Sequence, residues 1–196
     1  RRVLFRSNQN TRCLSSGENV HYLPLLDKSH LNGRHVCDEN KHMQPRFHIV
    51  MFHPEIPHNT GAAGRLALAT GSRLHLIKPL GFSLDEKHVR RTGLDYWAKV
   101  DLHVWDSLEE LKQAAAPGAQ FWYLSTKAPR SHWDAVFHAG DYLVFGPESR
   151  GLPESMLREH ADTALTIPMP GEGARSLNLS TAVAVVLYEG LRQTGI

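Results

Sequence analysis

The first segment whose residue types suggest chemistry is the loop at residues 54–65, PEIPHNTGAAGR. Two prolines stiffen this loop, and Asn59 or Thr60 is expected to cap a following helix. The small residues after them would let a ligand or another backbone segment approach closely. We expect Arg65 near the end of the first helical turn, where it could hold an anionic group at the positive end of the helix. A capped helix with small packing residues is the alternative interpretation.

A second loop, residues 145–153, has the sequence FGPESRGLP and directly follows an apolar run. Its two glycines, Gly146 and Gly151, and its two prolines fix an unusual backbone path. Such a path exposes main-chain N–H and C=O groups, which suit the recognition of a heterocycle. Glu148 could fix this loop, and the alternative for it is an ordinary surface ion pair with Arg150.

A third loop, residues 167–180, has the sequence IPMPGEGARSLNLS and leads into the last predicted helix. Ser176, Asn178 and Ser180 crowd the start of that helix, although a helix needs only one N-cap side chain. We therefore expect one of the three to cap the helix and the others to be available to a ligand.

The hydrophobic pattern indicates the scaffold that must position these loops. Short β-rich apolar runs alternate with amphipathic stretches, which is typical of βα units around a mostly parallel sheet. Ligands of such sheets bind beyond the carboxyl ends of the strands, and all three loops follow predicted strands. The predicted strands are residues 47–52, 73–77, 121–125, 141–145 and 164–167, and the predicted helices are residues 60–70, 106–116, 154–159 and 178–192.

Two of these helices depend on particular residues. Asp106 and Glu109 have the spacing of a capping box at the start of the second predicted helix. The last helix has apolar residues over a wide arc, which indicates either a buried helix or a subunit interface. Its main stripe consists of Val183, Val186, Leu187 and Leu191.

The charge of the chain is unevenly distributed. The 196 residues include 22 Lys and Arg against 20 Asp and Glu, for a formal net charge of +2, and residues 1–42 hold seven of the former and four of the latter. Residues 1–42 also lack a periodic pattern, and residues 1–7 resemble a reading frame of a sequencing adapter. We expect that translation begins at Met43 and that residues 1–42 are a non-native leader or a disordered extension. Residues 43–196 would then form one domain with 15 basic and 16 acidic residues.

Composition and sequence pattern also exclude some classes of protein. No run of about 18 apolar residues is present, and the start of the chain lacks the apolar stretch of a signal peptide, so we expect a cytoplasmic protein without a membrane span. The spacing of the histidines and of the two cysteines fits no metal-ligand motif, so no metal is expected.

Four blocks of this sequence resemble the SPOUT superfamily of methyltransferases and, within it, the TrmL/YibK-type tRNA 2′-O-methyltransferases. They are PEIPHNTG, RLHLIKPLGF with RRTGLDYW, GDYLVFGPESRGLP, and IPM followed by RSLNLSTAVAVVLYE. The resemblance implies an α/β fold with a mostly parallel sheet flanked by helices and a C-terminal trefoil knot, which periodicity alone would not suggest. Two departures stand out: residues 62–64, AAG, are expected to loosen the start of the first helix, and residues 170–175 are one residue longer than usual.

The resemblance also implies S-adenosylmethionine as methyl donor, a homodimer, and a tRNA substrate methylated at the ribose 2′-hydroxyl of a wobble cytidine or uridine. Arg65 stands where the family has a catalytic arginine, and Ser176 and Asn178 are expected to orient the hydroxyl. A guanidinium with a pKa above about 12 is a poor proton acceptor, so we expect Arg65 to bind a phosphate or the developing alkoxide. The cofactor-binding residues that the resemblance implies are Leu124, Gly146, Glu148, Gly151, Ile167 and Ser176.

Contact with RNA is expected at a basic segment beside aromatic residues. Lys87, Arg90 and Arg91 precede Tyr96, whose ring could stack on bases of the anticodon loop. Such a charge run is more often a solvated helix face, which is the alternative interpretation.

Two other functions stay open at this point. One is a SPOUT methyltransferase that acts on rRNA or on another tRNA position. The other is a non-catalytic RNA-binding knot protein, which the joint presence of the three expected catalytic residues disfavours.

Overall fold

The structure, a computed structural model, describes residues 44–83 and 96–195. Two predictions lie outside these ranges and stay predictions. They are the leader or disordered extension at residues 1–42 and the RNA contacts of Lys87, Arg90 and Arg91.

One parallel sheet organises the described residues. Its strands are β1 (His48–Phe52), β2 (Arg73–Ile77), β3 (Leu102–Trp105), β4 (Phe121–Leu124), β5 (Arg130–Ser131), β6 (Tyr142–Phe145) and β7 (Ala164–Thr166). They lie in the order β3-β2-β1-β6-β4-β7-β5, and every pairing is parallel. The chain builds outward from β1 to β3 on one side and crosses to the other side at β4. β6 then fills the position between β1 and β4, so the connections that leave β1 and β6 run in opposite directions along the sheet. The carboxyl ends of the strands beside such a reversal are the usual ligand position in these sheets.

Helices cover both faces of the sheet, as a parallel sheet requires. They are α1 (Pro57–Thr70), α2 (Leu108–Ala114), α3 (Glu154–Glu159) and α4 (Leu179–Thr194). Within the described residues, none of these helices is long and apolar enough to cross a membrane.

Two clusters of buried side chains hold the layers together. The larger cluster packs one face of the sheet against α1 and α4, and Val183, Val186 and Leu187 of α4 are completely buried in it. The smaller cluster lies on the other face, where Leu108 and Leu111 attach α2. The predicted apolar stripe of the last helix is therefore confirmed.

The predicted fold class is confirmed, and most of the predicted elements are present. The bounds of β2 and α3 match the prediction, and those of β1, β4, β6 and β7 agree within one residue at each end. The strands β3 and β5 were missed. β3 is a four-residue edge strand with a polar histidine in the middle, and β5 has two residues, so neither leaves a recognisable alternation in the sequence.

The predicted helix starts need two corrections. The helix α1 begins at Pro57, three residues before the predicted start, because proline at the first helical position loses no hydrogen bond. Asn59 and Thr60 therefore lie inside the helix and do not cap it. At α2 the cap is Ser107, whose Oγ accepts from the N–H of Glu110, one residue after the predicted pair.

Residues 62–64 do not loosen the start of α1, which is a further correction. They lie in the middle of a regular helix, and Gly64 is the place where Trp97 packs against it. A Cβ atom at Gly64 would lie 2.6 Å from Cζ3 of Trp97. The small residue therefore lets the segment that begins at Tyr96 lie directly on α1.

Candidate functional site

The three loops that the sequence singled out meet at one cleft of about 580 Å³. The cleft lies beyond the carboxyl ends of β4, β6 and β7 and is closed by the starts of α1 and α4. Its volume is within the range of ligand sites, roughly 300–1,000 Å³. Apolar side chains such as Phe145 and Leu179 and polar residues of the three loops line it together.

The cleft brings together every residue predicted to bind the cofactor. Asn178, one of the three expected catalytic residues, also lines the cleft, whereas Arg65 is not among its lining residues. The predicted cofactor-binding residues in its wall are Leu124, Gly146, Glu148, Gly151, Ile167 and Ser176.

The loop after β6 is a tight turn that only glycine permits at two positions. Gly151 has a left-handed φ of 68°, and its N–H donates to the carbonyl of Pro147 at 2.9 Å. A Cβ atom at Gly146 would collide with the backbone of Gly151 and Leu152. The main chain of Gly146 therefore packs directly against Gly151 and Leu152 of its own loop, which a side chain at residue 146 would prevent.

Glu148 fastens this loop to the start of α1. Its carboxylate accepts hydrogen bonds from the backbone N–H of Glu55 at 2.8 Å, the N–H of Ile56 at 3.2 Å and the amide Nδ2 of Asn59 at 2.9 Å. These N–H groups at the helix start have no partner within the helix, and a negative charge there is favourable. The sequence-based alternative of an ion pair between Glu148 and Arg150 is wrong.

Asn59 joins all three loops, and the sequence did not identify this role. Its Nδ2 donates to Glu148, and its Oδ1 accepts from Nδ2 of Asn178 at 3.0 Å. The side chain is 6% exposed and lines the cleft. The available sequence signal is an asparagine just after Pro57, since proline favours the first helical position and would place the Asn59 amide in the first turn, where it needs partners outside the helix.

Asn178 is the residue that caps α4. Its Oδ1 accepts from the N–H groups of Ser180 and Thr181 and from the hydroxyl of Ser180. Ser180 is therefore engaged in the cap, while Ser176 makes no hydrogen bond with a described residue and stands exposed in the wall of the cleft. The expectation that one of these three residues caps the helix is confirmed. The expectation that both others are available to a ligand is wrong for Ser180, whose hydroxyl and N–H bond to Asn178.

Arg65 lies elsewhere on α1 than the sequence suggested. Because the helix begins at Pro57, Arg65 is its ninth residue and stands in the third turn, away from the positive helix terminus. Its guanidinium lies 4.6 Å above the centroid of the Tyr96 ring, and the Tyr96 hydroxyl donates to the carbonyl of Gly61 at 2.9 Å. One face of the Tyr96 ring is therefore covered by Arg65 and is not available for stacking on an RNA base.

Acid–base groups are scarce in this cleft. Among the described residues that line it there is no histidine, and Glu148 is the single carboxylate. The described part of the chain also contains no cluster of three or more His, Cys, Asp or Glu residues suited to a metal ion.

Comparison with known proteins agrees with this geometry. The sequence profile of the SpoU rRNA Methylase family matches residues 46–188. The chain belongs to this family. A tRNA (cytidine(34)-2′-O)-methyltransferase of Saccharophagus degradans (strain 2-40) is 50% identical over 153 residues, which cover 76% of this chain and 96% of that protein.

Solved structures of SpoU-type proteins share the fold. One described as "Structural insights into the 2-OH methylation of C/U34 on tRNA" is 49% identical, has a TM-score of 0.70, and covers 75% of this chain and 95% of its own. The SpoU methyltransferase AviRb of Streptomyces viridochromogenes, solved in complex with the cofactor AdoMet, is 25% identical with a TM-score of 0.63. The match covers 76% of this chain and 61% of the AviRb chain. The SPOUT resemblance drawn from the four sequence blocks is thus confirmed.

Proposed function

We propose that this SpoU-family protein transfers a methyl group from S-adenosylmethionine to the ribose 2′-hydroxyl of the wobble cytidine or uridine of tRNA. The observation that carries the proposal is that all six residues expected to bind the cofactor line the same cleft. The relative named for this reaction matches along 96% of its own length, which supports the same substrate here.

The cleft residues fit the proposed cofactor. The apolar side chains of the cleft suit an adenine ring, and the turn at Gly146 and the segment after Ile167 offer main-chain groups for its polar edge. When bound, S-adenosylmethionine supplies an activated methyl group on a sulfonium. The protein then has to align the ribose oxygen and assist the loss of the hydroxyl proton.

Two polar side chains of the third loop are proposed to orient the ribose. The hydroxyl of Ser176 is exposed in the wall and has no hydrogen-bond partner among the described residues, so it can bind the 2′-hydroxyl. Asn178 has one amide N–H beyond its bond to Asn59, and the cap that it forms fixes the turn on which Ser176 stands.

Arg65 does not line the cleft in which the alkoxide would form, so it is proposed to bind a substrate phosphate. A guanidinium does not accept a proton at neutral pH, so Arg65 is not proposed as the base. Its side chain is exposed, and its contact with Tyr96 leaves its hydrogen-bond donors free to reach an anion. This contact is proposed to extend to the anticodon loop through Lys87, Arg90 and Arg91, and through the face of the Tyr96 ring that Arg65 does not cover.

The assembly and location of the protein are also proposed from the family. The helix α4 buries one face in the core and exposes Val185 and Tyr188 on another, with 36% and 55% of their surface accessible. A second apolar face of this kind supports a homodimer. We further propose the trefoil knot of the SPOUT fold and, because tRNA is the substrate, a cytoplasmic location.

Nucleoside mass spectrometry tests the proposed function. Purified protein, S-adenosylmethionine and unmodified tRNA should yield 2′-O-methylcytidine or 2′-O-methyluridine, and nuclease mapping should place it at the wobble position. The Arg65→Ala variant should still bind the cofactor in calorimetry but yield almost no methylated nucleoside. Methylation of rRNA or of another tRNA position, or cofactor binding without any methyl transfer, would contradict the proposal.

A further inference from the structure

The charges of the cleft are unevenly neutralised. Four charged residues line it: Lys127, Glu148, Arg150 and Arg175. Both carboxylate oxygens of Glu148 accept hydrogen bonds from N–H groups at the start of α1, and the Nζ of Lys127 pairs with Glu154 at 2.6 Å. Arg150 and Arg175 make no hydrogen bond or ion pair with any described residue, and both are exposed. The cleft therefore keeps two uncompensated positive charges.

These two arginines come from different loops and converge on one cleft. Arg150 precedes Gly151 in the closed turn after β6, whose path is fixed by the glycines at its two ends. Arg175 directly precedes Ser176, the side chain proposed to meet the ribose. Each guanidinium stands at the end of a long side chain on an exposed residue, so both can reach an anion that enters from solvent.

The chemistry of the proposed reaction indicates which anion this is. S-adenosylmethionine carries a sulfonium, and its carboxylate is balanced by its own ammonium group, so it has no net negative charge to attract two arginines. A ribose inside an RNA chain has a phosphodiester on its 5′ side and another on its 3′ side. Any 2′-hydroxyl brought to this cleft therefore brings two phosphates to its mouth. The planar fork of a guanidinium matches the oxygens of a phosphate in a bidentate way.

We propose that Arg150 and Arg175 bind the two phosphodiesters that flank the methylated nucleotide of the substrate RNA. This inference rests on the proposed function, and it names substrate contacts within the cleft itself. The two arginines thereby anchor the target ribose on both sides, while the basic segment at residues 87–91 is proposed for more distant contacts.

Binding of a fluorescent anticodon stem-loop to the full chain tests this assignment. Arg150→Gln and Arg175→Gln should each weaken RNA binding about tenfold or more near 0.1 M salt, as expected for a lost charge-assisted hydrogen bond. The slope of log K against log salt is negative, and each variant should make it less negative by about 0.7 to 0.9, the value for one phosphate contact. The affinity for S-adenosylmethionine in calorimetry should change less than twofold. Arg158→Gln, which removes an exposed arginine outside the cleft, is the matched control and should leave RNA affinity unchanged.

Stem-loops with one neutral methylphosphonate identify the contacts. A methylphosphonate beside the target nucleotide should weaken binding to the wild type but not further weaken binding to the arginine variant that has lost that contact. RNA affinities and salt slopes like those of the wild type, or an equal loss of cofactor affinity, would overturn the proposal. The proposed function is judged separately, by whether the wild type methylates the unmodified stem-loop.

Discussion

At the scale of single residues, Glu148 makes the contact on which the shape of the site depends. Its two oxygens accept from three N–H donors of the α1 start, and the partners are 89 to 93 residues away in the chain. Glu148→Gln would place an amide N–H group against one of those donors. Because the bonds from Glu55 and Asn59 are partly buried, we expect a loss of about 1–3 kcal/mol in the free energy of unfolding.

The same variant should also weaken the cofactor site, because the loop at residues 146–151 would lose its attachment to α1. Urea denaturation and calorimetric titration with S-adenosylmethionine measure the two effects. Glu159→Gln is the control, since this carboxylate is exposed on α3 and lies 4.0 Å from the ring of His160, whose pKa is lowered by burial. Equal stability of the two variants would mean that Glu148 does not hold the loop.

At the scale of elements, the contact between α1 and the segment after residue 95 sets the position of Arg65. Trp97 packs on Gly64, and Tyr96 supports the guanidinium of Arg65. Helix propensity alone would make Gly64→Ala stabilising by about 1 kcal/mol. The added methyl group would instead overlap the Trp97 ring, and overpacking of this kind costs about 1–3 kcal/mol. We therefore expect Gly64→Ala to lower the stability.

A double-mutant cycle separates these two effects. In a Trp97→Ala background the ring is gone, so Gly64→Ala should become neutral or stabilising. Denaturant titration of the four proteins gives the coupling energy. A Gly64→Ala variant that is more stable than the wild type would contradict the packing of Trp97 on α1.

The same elements show which parts of the structure the sequence could predict. Apolar runs and prolines identified the strands beside the site and placed all three loops at one edge of the sheet, because these signals are local. The first helix was placed three residues late, since its cap is a carboxylate from another loop and Pro57 carries no capping side chain. The role of Asn59 was missed for the same reason: its partners, Glu148 and Asn178, are 89 and 119 residues away.

At the scale of the whole molecule, the cleft occupies one end of the sheet, and a row of three histidines lies across β1, β2 and β3. His48 and His75 are buried, and His103 is half-buried. Nε1 of Trp105 donates to Nδ1 of His75 at 2.9 Å. An indole N–H can only donate, so the proton of His75 is on Nε2, which donates to Nδ1 of His48 at 2.8 Å. Both imidazole rings are therefore neutral in the folded protein.

This arrangement couples the stability of the molecule to acid. Burial, then the charge of Arg73, lowers the pKa of His48 from 6.5 to about 4. Burial, then the neighbouring rings of His48 and His103, lowers the pKa of His75 to about 2. Below pH 6.5 the unfolded chain takes up protons at these positions and the folded chain does not. The free energy of unfolding should therefore fall as the pH drops from 6.5 toward 4, by up to about 1.4 kcal/mol per pH unit for each histidine.

Urea denaturation of the full chain between pH 7.5 and 4.5 measures this dependence. The His48→Gln/His75→Gln double variant keeps a donor and an acceptor at each position but cannot titrate there. It should be less stable than the wild type at pH 7.5, yet its stability should depend less steeply on pH, because every other titratable group is retained. Equal pH slopes for the two proteins would show that these histidines are not held neutral. A flatter slope with normal methyl transfer at pH 7.5 would show that the acid-sensitive row and the cleft are independent parts of one sheet.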